Sequence, residues 1–229
     1  MGEFIPIITV DGPSGSGKGT LCRLLARQFG WHLLDSGALY RVVAIAAENH
    51  GVSFADQQAM EVIAAHLDVQ FEAGDNESAG ARIVLEGDDV TDMVRSEITG
   101  AKASEVAVIP VVRNALLQRQ RAFKRQPGLV ADGRDMGTVV FPESPLKIFL
   151  TATPEERAQR RYLQLKEKSE NVTLSRLISD VSARDKRDTE RAIAPLKAAE
   201  DAISVDTTGI GIDEVFQRVL QEAEKVGFS

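Results

Sequence analysis

One stretch, Gly12-Pro13-Ser14-Gly15-Ser16-Gly17-Lys18-Gly19-Thr20, limits this chain's choice of fold more than any other. Before it, the apolar run from Ile5 to Val10 reads as a buried strand ended by a Gly/Pro turn. After it, Leu21, Leu24, Leu25 and Phe29 recur at helical spacing. A strand, a glycine-rich loop and a helix, in that order, are the context a phosphate-cradling loop requires. Glycines let successive backbone N–H groups turn inward on phosphate oxygens. The helix that follows offers its free N–H groups and the positive end of its dipole to the same anion. Lys18 adds a mobile point charge beside the phosphate being transferred. A plain glycine-rich turn would join the same two elements, but it gives no reason for a lysine at the mouth. The general pattern ends Gly-Lys-Ser/Thr, whereas here Gly19 separates Lys18 from Thr20. The hydroxyl of Thr20 thus comes one residue late for Mg²⁺, and direct and water-mediated contact both stand open.

Composition bounds the function classes. With 229 residues, the chain is long enough for one large α/β domain or for one domain with a small insert. A formal net charge of −7 disfavours general nucleic-acid binding. The charge is uneven: residues 1–115 hold 8 Lys+Arg against 16 Asp+Glu, and residues 116–229 hold 19 against 18. Cys22, the single cysteine, excludes an intramolecular disulfide and reads as a small buried apolar residue. No signal peptide and no apolar run of membrane-spanning length is seen, so a cytoplasmic protein without a membrane partner is expected.

Along the chain, Trp31–Leu34 reads as a strand, with Ser36 as cap of a helix from Ala38 to about Asn49. Residues Ser53–His66 read as a further helix. Val69–Glu72 and Arg82–Glu86 alternate, with a loop over Gly74–Gly80 between them and a turn at Gly87-Asp88-Asp89 after them. That predicts a small antiparallel insert, either decorative or a flap over substrate. Ser104–Arg125 reads as one long helix that Pro110 kinks or restarts. Strands at Gly128–Ala131, Lys147–Leu150 and Ile203–Asp206 alternate with helices from Pro154 to about Lys168, from Leu174 to about Asp188 and from Ile212 to Val226. This order predicts a parallel sheet with helices on both faces.

Two strand ends carry the candidate chemistry. Ligands of open parallel sheets sit at the carboxyl ends of strands. One end holds Asp35-Ser36-Gly37-Ala38-Leu39-Tyr40-Arg41, where Arg41 can grip a phosphate as a bidentate fork or simply be a surface arginine. The other holds Asp132-Gly133-Arg134-Asp135, where Arg134 suits a phosphate and either Asp suits a Mg²⁺-bound water. Arg184, Asp188 and Arg191 share one helix face if the helix reaches that far, which fits a binding face or a solvated one equally. Arg157, Arg160 and Arg161 lie on a helix that can swing over a nucleotide and neutralise phosphate charge. His32, His50 and His66 lack metal-ligand spacing.

Taken together, the chain resembles the bacterial cytidylate kinases among the nucleoside monophosphate kinases. The resemblance runs from Ile8 to Arg191-Ala192-Ile193-Ala194-Pro195-Leu196 and rests on the Asp11–Thr20 loop, Leu33–Arg41, Arg119-Gln120-Arg121-Ala122-Phe123, Asp132–Pro142 and Arg184–Asp188. The late Thr20 is usual in those kinases. The resemblance implies a P-loop core (1–67, 101–153, 192–229), a monophosphate-binding insert (68–100) and an Arg-bearing lid (154–191). It implies ATP and Mg²⁺ on Gly12–Thr20, with CMP or dCMP held by Ser36, Tyr40, Arg41, Ser104, Arg113, Arg134, Asp135, Arg184, Asp188 and Arg191. Of these, Ser104 would contact the cytosine, Arg184 and Asp188 the sugar hydroxyls, and Arg41 and Arg134 the acceptor phosphate. Lys18, Arg134, Asp135, Arg157 and Arg161 would act in the transfer itself. A monomer is implied. The alternatives are a kinase of UMP or shikimate, and a P-loop nucleotide switch. Against a GTPase switch stands the lack of a guanine-reading Asn-Lys-x-Asp stretch.

Overall fold

The computed structural model describes residues 4–72, 81–167 and 172–228, and the chain gathers into two compact units, Met1–Asp35 with Gln120–Ser229 and Ser36–Arg119. The first unit is built on five strands: β1 (Ile7–Asp11), β2 (His32–Asp35), β6 (Leu129–Gly133), β7 (Leu146–Thr151) and β8 (Ile203–Asp206). They pair in the order β2-β6-β1-β7-β8, every pair parallel. From β1 the chain moves to one side of the sheet, and from β6 it moves to the other. That reversal places the crevice of an open α/β sheet beside the carboxyl ends of β1 and β6.

Alternation along β1 explains the layers. Ile8 and Val10 point into a core with Val130, Ile148, Leu150 and Val205 of the neighbouring strands. That core is closed by Leu21, Cys22 and Leu25 of α1 (Lys18–Phe29) and by Val215, Val219 and Ala223 of α9 (Ile212–Lys225). The odd residues of β1 serve the opposite face. There Asp11 accepts hydrogen bonds from the backbone of a π-helical turn, Met136–Val140, at 2.8 Å to both Met136 N and Gly137 N. All five residues of β1 are buried, as a central parallel strand requires. Two further helices, α7 (Pro154–Glu167) and α8 (Leu174–Glu190), pack on each other through Ala158, Leu165 and Leu177. Pro154 at the first helical position and Glu155 and Glu156 in the first turn suit the start of α7.

The second unit holds α2 (Ser36–Asn49), α3 (Gln57–Ala65), α4 (Thr91–Arg95), α5 (Glu97–Val106) and most of α6 (Pro110–Arg121), with a small antiparallel sheet, β3 (Val69–Glu72), β4 (Arg82–Leu85) and β5 (Asp88–Asp89). The main sheet, its helices and the small sheet make the P-loop type α/β fold that the element order predicts.

Several local expectations need correction. Ser36 is the first residue of α2 and lies inside the helix it was expected to cap. The helix expected over 53–66 is shorter, because Asp56 accepts from Ala59 N and starts it at Gln57. Of the two readings of 104–125, the restart holds and the kink does not: α5 ends at Val106, and Pro110, which cannot donate into a preceding turn, opens α6. Ser104 therefore belongs to α5. Asp88 and Asp89 pair with β4 instead of forming only a turn. The loop expected at 74–80, and residue 168, where a helix was expected to end, lie outside the described residues.

Candidate active site

In the first unit the glycine-rich loop passes from β1 to α1 through three glycines with positive φ, Gly12 at 148°, Gly15 at 78° and Gly17 at 94°. A side chain at Gly12 would put its Cβ 2.2 Å from the Leu150 carbonyl oxygen, so β7 passes too close for any other residue. Lys18 begins α1 and is only 5% exposed. Its Nζ donates to the Pro13 carbonyl at 2.7 Å, which the Ser16 hydroxyl also reaches at 3.0 Å. Lys18 is held inside the loop by the loop's own backbone.

Burial sets the charges here. It lowers the Lys18 ammonium to about 8, with the Arg134 guanidinium pushing the same way and Asp132 opposing. Burial raises Asp132 to about 6, against the pull of Lys18. It raises Asp11 to about 7 despite the two backbone N–H groups that favour the carboxylate. The Cys22 thiol is pushed well above its ordinary value by burial, in keeping with a core residue. Asp132 is the last residue but one of β6, and its Oδ2 lies 3.4 Å from where a Gly19 Cβ would be, so its carboxylate flanks the first turn of α1. Thr20 is exposed, and its hydroxyl accepts from Arg23 Nη2 at 3.2 Å.

The arginines fall into distinct places. Arg134 Nε donates to Asp188 Oδ2 at 3.0 Å, which ties the carboxyl end of β6 to α8. Asp188 is 5% exposed. Asp135, also buried, precedes the π-helical turn and accepts from Val139 N through its backbone carbonyl. Arg184, one turn before Asp188, donates to the Ser14 hydroxyl at 3.3 Å. Arg191 lies just beyond α8 in extended backbone, its Nε donating to the Ala194 carbonyl at 2.5 Å. The face that Arg184, Asp188 and Arg191 share if the helix reaches that far carries the first two only, because α8 ends at Glu190. Arg161 on α7 is half-buried and donates to Gln164 at 3.1 Å.

Arg157 and Arg160 are bonded inward. Arg157 is 2% exposed and donates to the carbonyls of Ala152 and Ser14, both at 2.9 Å, and in a fork to both carboxylate oxygens of Asp185. Arg160 donates to Glu156 and to the hydroxyl and carbonyl of Thr207. The single hydroxyl proton of Thr207 lies between the carbonyl oxygens of Thr151 at 3.0 Å and Ser16 at 3.3 Å. In this structure both guanidinium groups are held by these partners.

The second unit carries the other expected residues. Arg41 Nη1 donates to the carbonyls of Val94 and Ser96, at 2.6 and 2.8 Å. A Cβ at Gly100 would come within 2.7 Å of Arg41 Nη2, so that glycine makes room for the guanidinium. Arg113, nearly buried, donates to the Ala107 carbonyl at 3.1 Å and stands 5.8 Å over the Tyr40 ring. Buried Ser104 donates to the Gly100 carbonyl at 3.4 Å.

The sequence reading missed Asp11 as the clasp of the π-helical turn, Thr207 as a link to the loop, and Asp185 as the seat of Arg157. Asp185 stood in plain view inside a mixed-charge run, and nothing local distinguishes it from Lys186 or Arg187. Among the described residues there is no cluster of three acidic, histidine or cysteine side chains that would hold a metal. A Mg²⁺ ion that travels on nucleotide phosphates needs no such cage, only one or two protein oxygens.

The family model for cytidylate kinase matches residues 8–225. A cytidylate kinase of Pseudomonas fluorescens is 64% identical over 217 residues, 95% of this chain and 94% of its own. One of Pseudomonas aeruginosa is 59% identical over 228 residues, 100% of this chain and 99% of its own. The solved shikimate kinase of Acinetobacter baumannii, in complex with shikimate, covers 99% of this chain and 97% of its own, at 18% identity and a TM-score of 0.45.

Proposed function

The chain belongs to the cytidylate kinase family, and from that membership we propose that it transfers the γ-phosphoryl group of ATP to the 5′-phosphate of CMP and dCMP. The full-length likeness to cytidylate kinases carries this reading, and the glycine-rich loop with Lys18 at its mouth agrees with it. A phosphate oxygen of the acceptor attacks the γ-phosphorus, the bond to the β–γ bridging oxygen breaks, and ADP leaves with that electron pair. The acceptor oxygen is already anionic, so no strong general base is required. The work is in-line positioning and neutralisation of charge.

The backbone N–H groups of the Gly12–Thr20 loop, Pro13 excepted, and the Lys18 ammonium hold the donor phosphates in this reading. Arg134 and Arg41 take the acceptor phosphate, and Arg161 adds charge from α7. Asp188 and Arg184 reach the sugar hydroxyls and Ser104 the cytosine, with Ser36, Tyr40, Arg113, Asp135 and Arg191 completing the monophosphate site. The residues present fit Mg²⁺: the Asp132 carboxylate flanks the first turn of α1, and Thr20, a hydroxyl-bearing residue, is exposed on that turn. When bound, the ion spreads the negative charge of the β- and γ-phosphates. The division into core, 68–100 insert and 154–191 lid, a monomeric state and a cytoplasmic location belong to the same proposal. Among the described residues no helix is long and apolar enough to cross a membrane. The relatives do not favour the switch, UMP-kinase or shikimate-kinase readings.

The test is ADP release from ATP and Mg²⁺ against CMP, dCMP, UMP, AMP, GMP and shikimate. Fast turnover with CMP and dCMP and little with the others is expected. Preference for another acceptor, or none with any, would overturn the proposal.

A further inference from the structure

Arg157 is committed in an unexpected direction. Its guanidinium is 2% exposed, its fork is seated on Asp185, and Nη1 holds the Ser14 carbonyl at 2.9 Å. Ser14 and Gly15 share one planar trans peptide, in which C=O and N–H point in opposite directions. A donor that holds the Ser14 carbonyl toward α7 therefore turns the Gly15 N–H away from α7. The same peptide is pressed close, since a Cβ on Gly15 would lie 3.1 Å from Arg157 Cβ. To reach a phosphate, Arg157 would have to abandon two carbonyls and a carboxylate. It would leave Asp185 without its forked partner.

We propose that Arg157, seated by Asp185, is a positioning residue for the donor loop: it fixes the Ser14–Gly15 peptide plane so that the Gly15 N–H is aimed at the nucleoside triphosphate's phosphates. Its charge acts on the loop's backbone and not on the transferred group. Asp185 acts at one further remove, by holding the guanidinium square to the Ser14 carbonyl. The inference rests on the phosphotransferase reading above, but its consequence is for binding of the triphosphate alone.

The test uses the full chain with Arg157→Lys and Asp185→Asn. Asp185 is partly exposed, so its amide variant keeps the test open if the buried Arg157→Lys fails to fold. KM for ATP and for CMP, kcat, ATP dissociation constants by calorimetry without acceptor, and ligand-free melting are measured together. Loss of one charge-assisted hydrogen bond predicts that Asp185→Asn weakens ATP binding and raises its KM about tenfold, with KM for CMP within about twofold. Arg157→Lys keeps a cation that can still reach the carbonyl, so it retains part of the affinity. Three results would overturn the proposal. One is equal loss for ATP and CMP. Another is a lower melting temperature with ATP affinity unchanged. The third is a collapse of kcat with ATP affinity unchanged, which would mean that Arg157 acts on the transferring phosphate. If the parent chain binds ATP yet phosphorylates no CMP, the function proposal fails while the calorimetric comparison still reads the role of Arg157.

Discussion

Gly12→Ala isolates the close approach between the phosphate loop and the sheet. The added Cβ would lie 2.2 Å from the Leu150 carbonyl oxygen and 3.1 Å from its carbon, where real Cβ atoms keep at least 3.0 Å. The obstacle is β7 backbone, pinned on both sides by β1 and β8, so it cannot swing aside as a side-chain tip would. Forcing an extra carbon into packed structure costs about 1–3 kcal/mol. Holding an L residue in sparsely populated backbone, here φ 148°, costs of the order of 1–3 kcal/mol more. A total near 3 kcal/mol lowers the melting temperature of a chain this size by about 6–12 °C. Gly30→Ala is the control. Gly30 also has positive φ, at 65°, but open space where its Cβ would go, so only the left-handed backbone cost of about 1 kcal/mol applies and the drop is about 2–4 °C. Both variants are melted without nucleotide. If Gly12→Ala loses no more than Gly30→Ala, the approach of β7 is not what requires glycine at position 12.

Lys18 loses its proton near pH 8 in the free protein, so kcat/KM for ATP is expected to fall as pH rises through 8, while phosphates bound beside the ammonium hold kcat to higher pH. A kcat/KM flat to pH 9.5 would contradict this. Over the same range the unfolded chain, with lysine at its ordinary 10.5, binds more protons than the folded one, so this group makes ligand-free stability rise between pH 8 and 10.5. Asp188→Asn weakens the ion pair with Arg134 and is expected to raise KM for CMP about tenfold with little change for ATP; equal changes would favour a solvated face. Gly100→Ala pushes on the movable tip of Arg41, not on backbone, so a few-fold higher KM for CMP is expected with an unchanged melting temperature. An unchanged KM would detach Arg41 from the acceptor phosphate.

The element order was readable because its signals are local. The apolar run at Ile5–Val10, the glycines and the helical spacing of Leu21, Leu25 and Phe29 each lie within a few residues, and β1 and α1 form where they indicate. Boundaries failed where one polar group decides them. Asp56 starts α3 by accepting from Ala59 N, whereas the restart at Pro110 was legible because its missing N–H is a local property. Arg191 shares the face of Arg184 and Asp188 only if the helix reaches it, and α8 stops one residue short, at Glu190. The π-helical turn had no local signal at all, since its anchor is Asp11, 125 residues earlier.

The site divides along the same line, and the phosphate loop itself shows why. Glycine spacing and Lys18 announce a backbone able to present N–H groups to an anion. Each of those N–H groups belongs to a peptide whose carbonyl must go somewhere, because a buried carbonyl left unpaired is costly. The Pro13 carbonyl is met from within the loop, by Lys18 and the Ser16 hydroxyl, so its partners are encoded in the motif. The Ser14 carbonyl is met by Arg157, 143 residues away, and the Ser16 carbonyl by Thr207, 191 residues away and itself held by Arg160. The anion-facing side of the loop is therefore a local property, written in nine consecutive residues. The side that keeps it in shape is a tertiary property of α7 and the turn after β8. A substitution there can weaken ATP binding without touching the motif that announces it.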